Sequence, residues 1–165
     1  MNYANIRKLD IANGPGIGST LFVSGCHFNC KGCFNKEAQS FDYGKPFTKE
    51  VEDEFISYLQ HPQVVVANLL GGEVLHQDEE VILHLVKRIK EETNVQIWLW
   101  TGYTFEQLSM FPEKMEIIKH IDVLVDGKFE LELRDLSLKY RGSSNQRVID
   151  IQSTLKTGNL VLKIS

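Results

Sequence analysis

Cys26, Cys30 and Cys33 are the three cysteines of the chain and lie within eight positions. Their spacing, C-x3-C-x2-C, lets one compact loop direct three thiolates at three corners of an iron–sulfur cube and leave the fourth iron open to a substrate. A structural zinc with His27 as fourth ligand is a competing reading, although His27 adjoins Cys26 and gripping one ion from both would strain the loop. A pair of redox thiols is another. An odd, clustered set of cysteines argues against a disulfide framework and for metal or redox chemistry. A second element with chemical potential is Gly71-Gly72-Glu73, whose glycines allow close backbone approach beside a polar edge; taken alone it also reads as a tight turn. Thr101 and Asp126 close two further apolar runs and suit either a ligand or a capping and turn role.

These groups need elements to carry them. Four runs read as buried or half-buried strands: Ser19 to Val23, Val64 to Leu70, Val95 to Trp100 and Ile121 to Val125. Between them, Lys49 to Gln60 and Glu79 to Glu91 carry apolar residues at helical spacing, with Asp78 as N-cap of the second. Thr104 and Gln107 form a capping-box pattern for a short third helix, and Pro112 opens a fourth that ends near His120. Alternating strand and helix predicts an α/β fold with a mostly parallel sheet. Each strand then delivers a polar, glycine-containing turn to one edge: Ser24-Gly25-Cys26, Gly71-Gly72-Glu73, Thr101-Gly102-Tyr103-Thr104 and Asp126-Gly127. The periodicity predicts one site assembled from four loops, with the cysteine loop as its first wall. Trp98 and Trp100 share a strand face, and with Ile97 and Leu99 opposite them they read as packing residues.

The chain has 165 residues and reads as a single domain, 1–165. A closed eight-fold barrel takes about 250 residues, so this length supplies part of one, or an open doubly wound sheet. Lys and Arg number 18 against 22 Asp and Glu, a net charge of −4, without a basic block. Nothing here predicts a nucleic-acid partner. MNYANIRKLD lacks the layout of a secretion signal, and no apolar run approaches a membrane span, so the expected setting is cytoplasmic with no membrane contact.

The cysteine spacing followed by the GGE loop resembles the radical S-adenosylmethionine enzymes. The resemblance narrows through NGPGIGSTLFVSGC, CKGCFN, IWLWTGYTFEQL, VLVDGKF and RGSSNQRVID, which are similar to segments of the activating proteins that serve anaerobic ribonucleoside-triphosphate reductases. Gly32 is a form common in that group; Ile17, Gly18 and Ser19 stand where many relatives carry an arginine. The resemblance implies a partial (β/α) barrel of the radical SAM type, a [4Fe–4S] cluster on Cys26, Cys30 and Cys33, and S-adenosylmethionine chelated at the open iron. Gly32, Cys33, Phe34, Gly71, Gly72, Glu73, Thr101 and Asp126 are the positions it assigns to cofactor binding, with no side-chain acid or base. It implies that an electron from the cluster cleaves the cosubstrate, and that the resulting 5′-deoxyadenosyl radical takes an α-hydrogen from a glycine of the large reductase subunit. The implied electron source is a one-electron donor such as a flavodoxin-like protein. Substitution of Gly72 is expected to spare the cluster and weaken S-adenosylmethionine binding. RGSSNQR, Arg141 to Arg147, reads locally as a turn and by resemblance as a contact for partner or cosubstrate. Two alternatives are a radical SAM enzyme for a small molecule, such as a deazaguanine-forming synthase, and a non-enzymatic iron–sulfur electron carrier.

Overall fold

The computed structural model describes residues 1–28, 30, 32–33 and 36–164. Strands are β1 (Asn2–Asp10), β2 (Gly18–Val23), β3 (Lys45–Pro46), β4 (Val66–Gly71), β5 (Gln96–Trp100), β6 (Val123–Asp126), β7 (Arg147–Asp150) and β8 (Leu162–Ile164); helices are α1 (Lys49–Leu59), α2 (Glu79–Glu92), α3 (Phe105–Leu108), α4 (Pro112–Ile118) and α5 (Ile151–Thr157). All eight strands form one sheet in the order β3-β1-β2-β4-β5-β6-β7-β8. The fold class is α/β, as expected.

The sheet is not mostly parallel. Among the described residues only β2-β4, β4-β5 and β5-β6 pair in parallel, whereas β1 runs antiparallel to β2 and β3, and β7 to β6 and β8. The four strands expected from sequence are the parallel centre. Parallel neighbours need a crossover that covers the sheet, so central strands become apolar runs; β1 is largely exposed or half-buried and carries no such run.

Packing assigns a role to each sheet face. Alternate residues Leu21, Val23, Ala67, Leu69, Ile97, Leu99 and Leu124 join Phe55, Ile56 and Leu59 of α1 and Ile82, Leu85, Val86 and Ile89 of α2 in the main core. Burying each such side chain contributes roughly 1.5–3 kcal/mol. The Asp78 side chain accepts from the amides of Glu80 and Val81 and so starts α2, while the Thr104–Gln107 capping box starts α3. On the opposite face Val66, Trp98, Val123, Val125 and Val148 make a smaller core, with Trp100 and Tyr140 against it. Both tryptophans therefore pack, and the face without the main helices is left for the site.

Candidate functional site

A cavity of about 420 Å³ opens at the carboxyl end of the parallel strands. Cys26, Cys30 and Cys33 all line it, together with Gly71, Gly72 and Glu73, Thr101 and Gly102, and Gly127. Members of all four expected loops thus meet in one place. Among the described residues no three His, Cys, Asp or Glu side chains converge as ligands of a single ion would. A cube takes one thiolate at each of three separate irons, so its ligands need not converge.

The cysteine loop leaves β2 already fastened to the GGE loop. Gly72 N–H donates to Val23 O at 2.9 Å, Glu73 N–H to Gly25 O at 2.8 Å, and Gly25 N–H to Ala38 O at 2.6 Å. Such close joining dictates the glycines. Gly71 has φ 128°, and a Cβ there would lie 2.4 Å from Val23 O; a Cβ on Gly72 would lie 2.6 Å from Gly25 O and 2.7 Å from Ala38 O. The close approach is to the chain's own cysteine loop. A larger residue at 72 would press on that loop, which removes the physical basis for expecting such a substitution to spare the cluster.

Glu73 is 2% exposed, and its carboxylate is fully engaged. It accepts from Gly102 N–H at 2.6 Å, Thr101 Oγ1 at 2.9 Å and Leu75 N–H at 2.9 Å. Burial pushes its carboxyl up to about 7, although these three donors and Lys114 pull the other way. Its side chain therefore braces the GGE loop against the loop after β5, and Thr101 is the other half of that brace. Asp126 is 1% exposed and accepts from Arg147 Nε at 3.1 Å, Arg147 Nη2 at 2.6 Å and Phe105 N–H at 2.8 Å. Its carboxylate ties β7 and the start of α3 to β6, and it does not line the cavity. Gly32 has φ 76° and faces Leu131 outside the cavity lining. Phe34 lies outside the described residues.

His76 latches three of the loops. Its Nδ1 accepts from His27 N–H at 3.1 Å, so Nε2 carries the proton and donates to the Tyr103 hydroxyl at 3.0 Å. Burial, then the charges of His27, Lys114 and Lys128, holds the ring down to about 4, so it stays neutral at pH 7. Its ring packs on His27, Phe28 and Tyr103. Among the cysteines, burial followed by the Cys33 thiol pushes the Cys30 thiol up.

The far wall comes from residues that strand periodicity does not reveal. Ala12, Asn13, Lys128, Leu136, Tyr140 and Arg141 also line the cavity. Lys128 Nζ stands 4.6 Å from the centre of the Phe28 ring. Tyr140 has φ 67°, and its carbonyl accepts from Trp100 Nε1 at 2.7 Å. Gln146 fastens the RGSSNQR turn by accepting from Gly142 N–H and Ser143 N–H and donating to Gly127 O. Arg141 Nη1 donates to Gln146 O at 3.0 Å, whereas its buried Nε has no hydrogen-bond partner among the described residues. The motif itself was the sequence signal for this wall; which of its residues enters the cavity depends on the turn. Arg147 is spent on Asp126 and Glu106.

An α/β sheet with three cysteines at one carboxyl-edge cavity suits an iron–sulfur protein. A family model described as a 4Fe-4S single cluster domain matches residues 12–149. The chain is 46% identical over 152 residues to the anaerobic ribonucleoside-triphosphate reductase-activating protein of Escherichia coli (strain K12), covering 90% of this chain and 97% of that protein. It is 43% identical over 150 residues to the protein of that name from Pasteurella multocida, with 88% and 95% covered, and 39% identical over 150 residues to that of Enterobacteria phage T4, with 90% and 93% covered. This chain belongs to the family of anaerobic ribonucleoside-triphosphate reductase-activating proteins.

Proposed function

We propose that this chain is the activating enzyme that uses a [4Fe–4S] cluster and S-adenosylmethionine to place a glycyl radical on the large subunit of the anaerobic ribonucleoside-triphosphate reductase. The observation that carries the reading is the single cavity shared by all three cysteines and the GGE loop. Three soft donors from one loop suit three irons of a cube, and the cavity beside them has room for a cosubstrate. Cys26, Cys30 and Cys33 would hold the cluster, which, when bound with S-adenosylmethionine, supplies the 5′-deoxyadenosyl radical that takes hydrogen from a glycine α-carbon.

The chain's own residues position and exclude. Gly71 and Gly72 hold the cosubstrate wall against the cysteine loop, and Glu73 and Thr101 fix that wall to the next loop. The carboxylate of Glu73 is occupied, so the GGE loop offers its main chain as the polar edge. Asp126 acts one layer back by holding Arg147. The parallel centre of the sheet serves as a partial (β/α) barrel of the radical SAM type, in one domain spanning 1–165. Its incomplete wall would admit a polypeptide loop, the shape a glycine substrate requires. The reading includes a cytoplasmic setting and a one-electron donor such as a flavodoxin-like protein. No helix among the described residues is long and apolar enough to cross a membrane.

The test mixes the anaerobically reconstituted protein with a reductant, S-adenosylmethionine and the large reductase subunit. A glycyl radical should appear by electron paramagnetic resonance, with 5′-deoxyadenosine beside it. Deuterium placed on the reductase glycine α-carbons should be recovered in the deoxyadenosine. Cleavage without radical or deuterium transfer, together with turnover of a small molecule, would transfer the function to a small-molecule radical SAM enzyme.

A further inference from the structure

A second hollow, of about 520 Å³, lies beyond the cysteine loop from the cavity just described. Cys33 is the one described residue that lines both. The wall between them is thin: in the short turn Glu37–Gln39, Glu37 faces the second hollow and Gln39 the first. On the reading above, the first cavity must admit both S-adenosylmethionine and a polypeptide loop. A protein that delivers electrons needs another approach to the cluster, and Cys33 is the ligand that reaches it.

The chemistry of this hollow indicates what would dock. Arg7 and Lys36 line it and are exposed, with the Arg7 guanidinium 5.2 Å from the centre of the Phe22 ring. The nearest acid to Arg7 is Asp10 at 3.8 Å, whose carboxylate already accepts from Ala12 N–H, Asn13 and Thr20. The lining acid, Glu37, accepts from the Tyr43 hydroxyl at 3.3 Å. The chain as a whole carries −4. The described lining thus carries one net positive charge, Arg7 and Lys36 against Glu37, on a chain that is negative overall, which steers an acidic partner toward this face.

We propose that this hollow is the electron-entry surface, where an acidic one-electron carrier protein docks against Arg7 and Lys36 and passes its electron to the cluster through Cys33. The proposal rests on Cys33 being a cluster ligand. In the step, a reduced flavin of the carrier loses one electron and the oxidised cluster gains it; no bond forms or breaks.

The experiment follows loss of the cluster's visible absorbance in reconstituted protein under two reductants: reduced flavodoxin, and photoreduced deazaflavin as a small uncharged reference. The variant R7E/K36E should be reduced by flavodoxin on the order of tenfold more slowly at low salt and by deazaflavin at the parent rate. In the parent, added salt should slow the flavodoxin reaction alone. A variant reduced by flavodoxin as fast as the parent, or a parent reaction indifferent to salt, overturns the docking surface and leaves the proposed function standing. Failure of the parent to assemble an iron–sulfur cluster overturns the ligand reading beneath it.

Discussion

Glu73 shows how a residue can belong to a binding loop without offering its side chain to the ligand. Its two oxygens take three donors from two loops, so the carboxylate acts as a joint. Glu73→Gln keeps the shape and loses an acceptor, setting an amide N–H against a buried donor at a cost of about 1–3 kcal/mol. The pH dependence is a separate signature. The folded carboxyl is raised from 4.5 to about 7, so folding takes up a proton between those values. That contribution is present below pH 4.5 and is lost as pH rises through 7. In cluster-free protein kept reduced, urea unfolding should show the gap between parent and variant widening by about 2–3 kcal/mol from pH 8 to pH 5. A gap independent of pH would mean that Glu73 is ionised throughout. The GGE motif was legible in the sequence, and so was its place at a strand end. The engagement of its acid was not, because Gly102 N–H and Leu75 N–H are main-chain donors that only the folded loops bring to it.

At the scale of elements, the parallel centre was legible because a strand covered on both faces has to be written in apolar residues: the runs Val64 to Leu70 and Val95 to Trp100, which contain β4 except Gly71 and all of β5, stand out for that reason. The helix starts were legible because Asp78 and Thr104 act on amides two or three residues away. The edges were not. β1 has exposed Asn5, Arg7, Lys8 and Leu9, and β7 is four residues long immediately after a turn motif. β7 is nevertheless the strand that carries Arg147 to Asp126. That pair holds β7, β6 and α3 together, since Asp126 also accepts from Phe105 N–H. Arg147→Met would leave a carboxylate that is 1% exposed without its cation. The expected loss is about 3–5 kcal/mol in chemical unfolding. Because Asp126 lies behind the cavity, the same variant should still assemble its cluster at temperatures where it remains folded, as measured by iron and sulfide content. Selective loss of the cluster from folded protein would instead place Asp126 in the site.

For the molecule as a whole, the decisive feature is the reversal after β6. A further parallel strand would need a crossover to return the chain to the opposite edge, and that crossover would cover the helix face. Since β7 is antiparallel to β6, residues 127–146 begin and end at the same edge, beside the cavity. They are free to fold over it, and they supply Lys128, Leu136, Tyr140 and Arg141 to its wall. Away from Tyr140, which packs on the smaller core, and Gln146, which fastens the turn, this cover is lightly held. Its internal main-chain bonds include Asp135 N–H to Gly142 O and Ser144 N–H to Leu133 O, around an isolated bridge between Arg134 and Ser143, and Leu136 is 81% exposed. Segments with few buried contacts open at low free-energy cost, whereas the central strands open only with the whole sheet. Hydrogen exchange on anaerobically reconstituted protein should therefore be fast across residues 135–142 without S-adenosylmethionine. With the cosubstrate it should slow by about tenfold or more, the response of a cover that closes on its ligand. β1, on the other side of the cysteine loop, should exchange at the same rate in both states. Protection confined to β1, with residues 135–142 unchanged, would put the cosubstrate in the hollow beyond Cys33 and assign the cavity to another molecule.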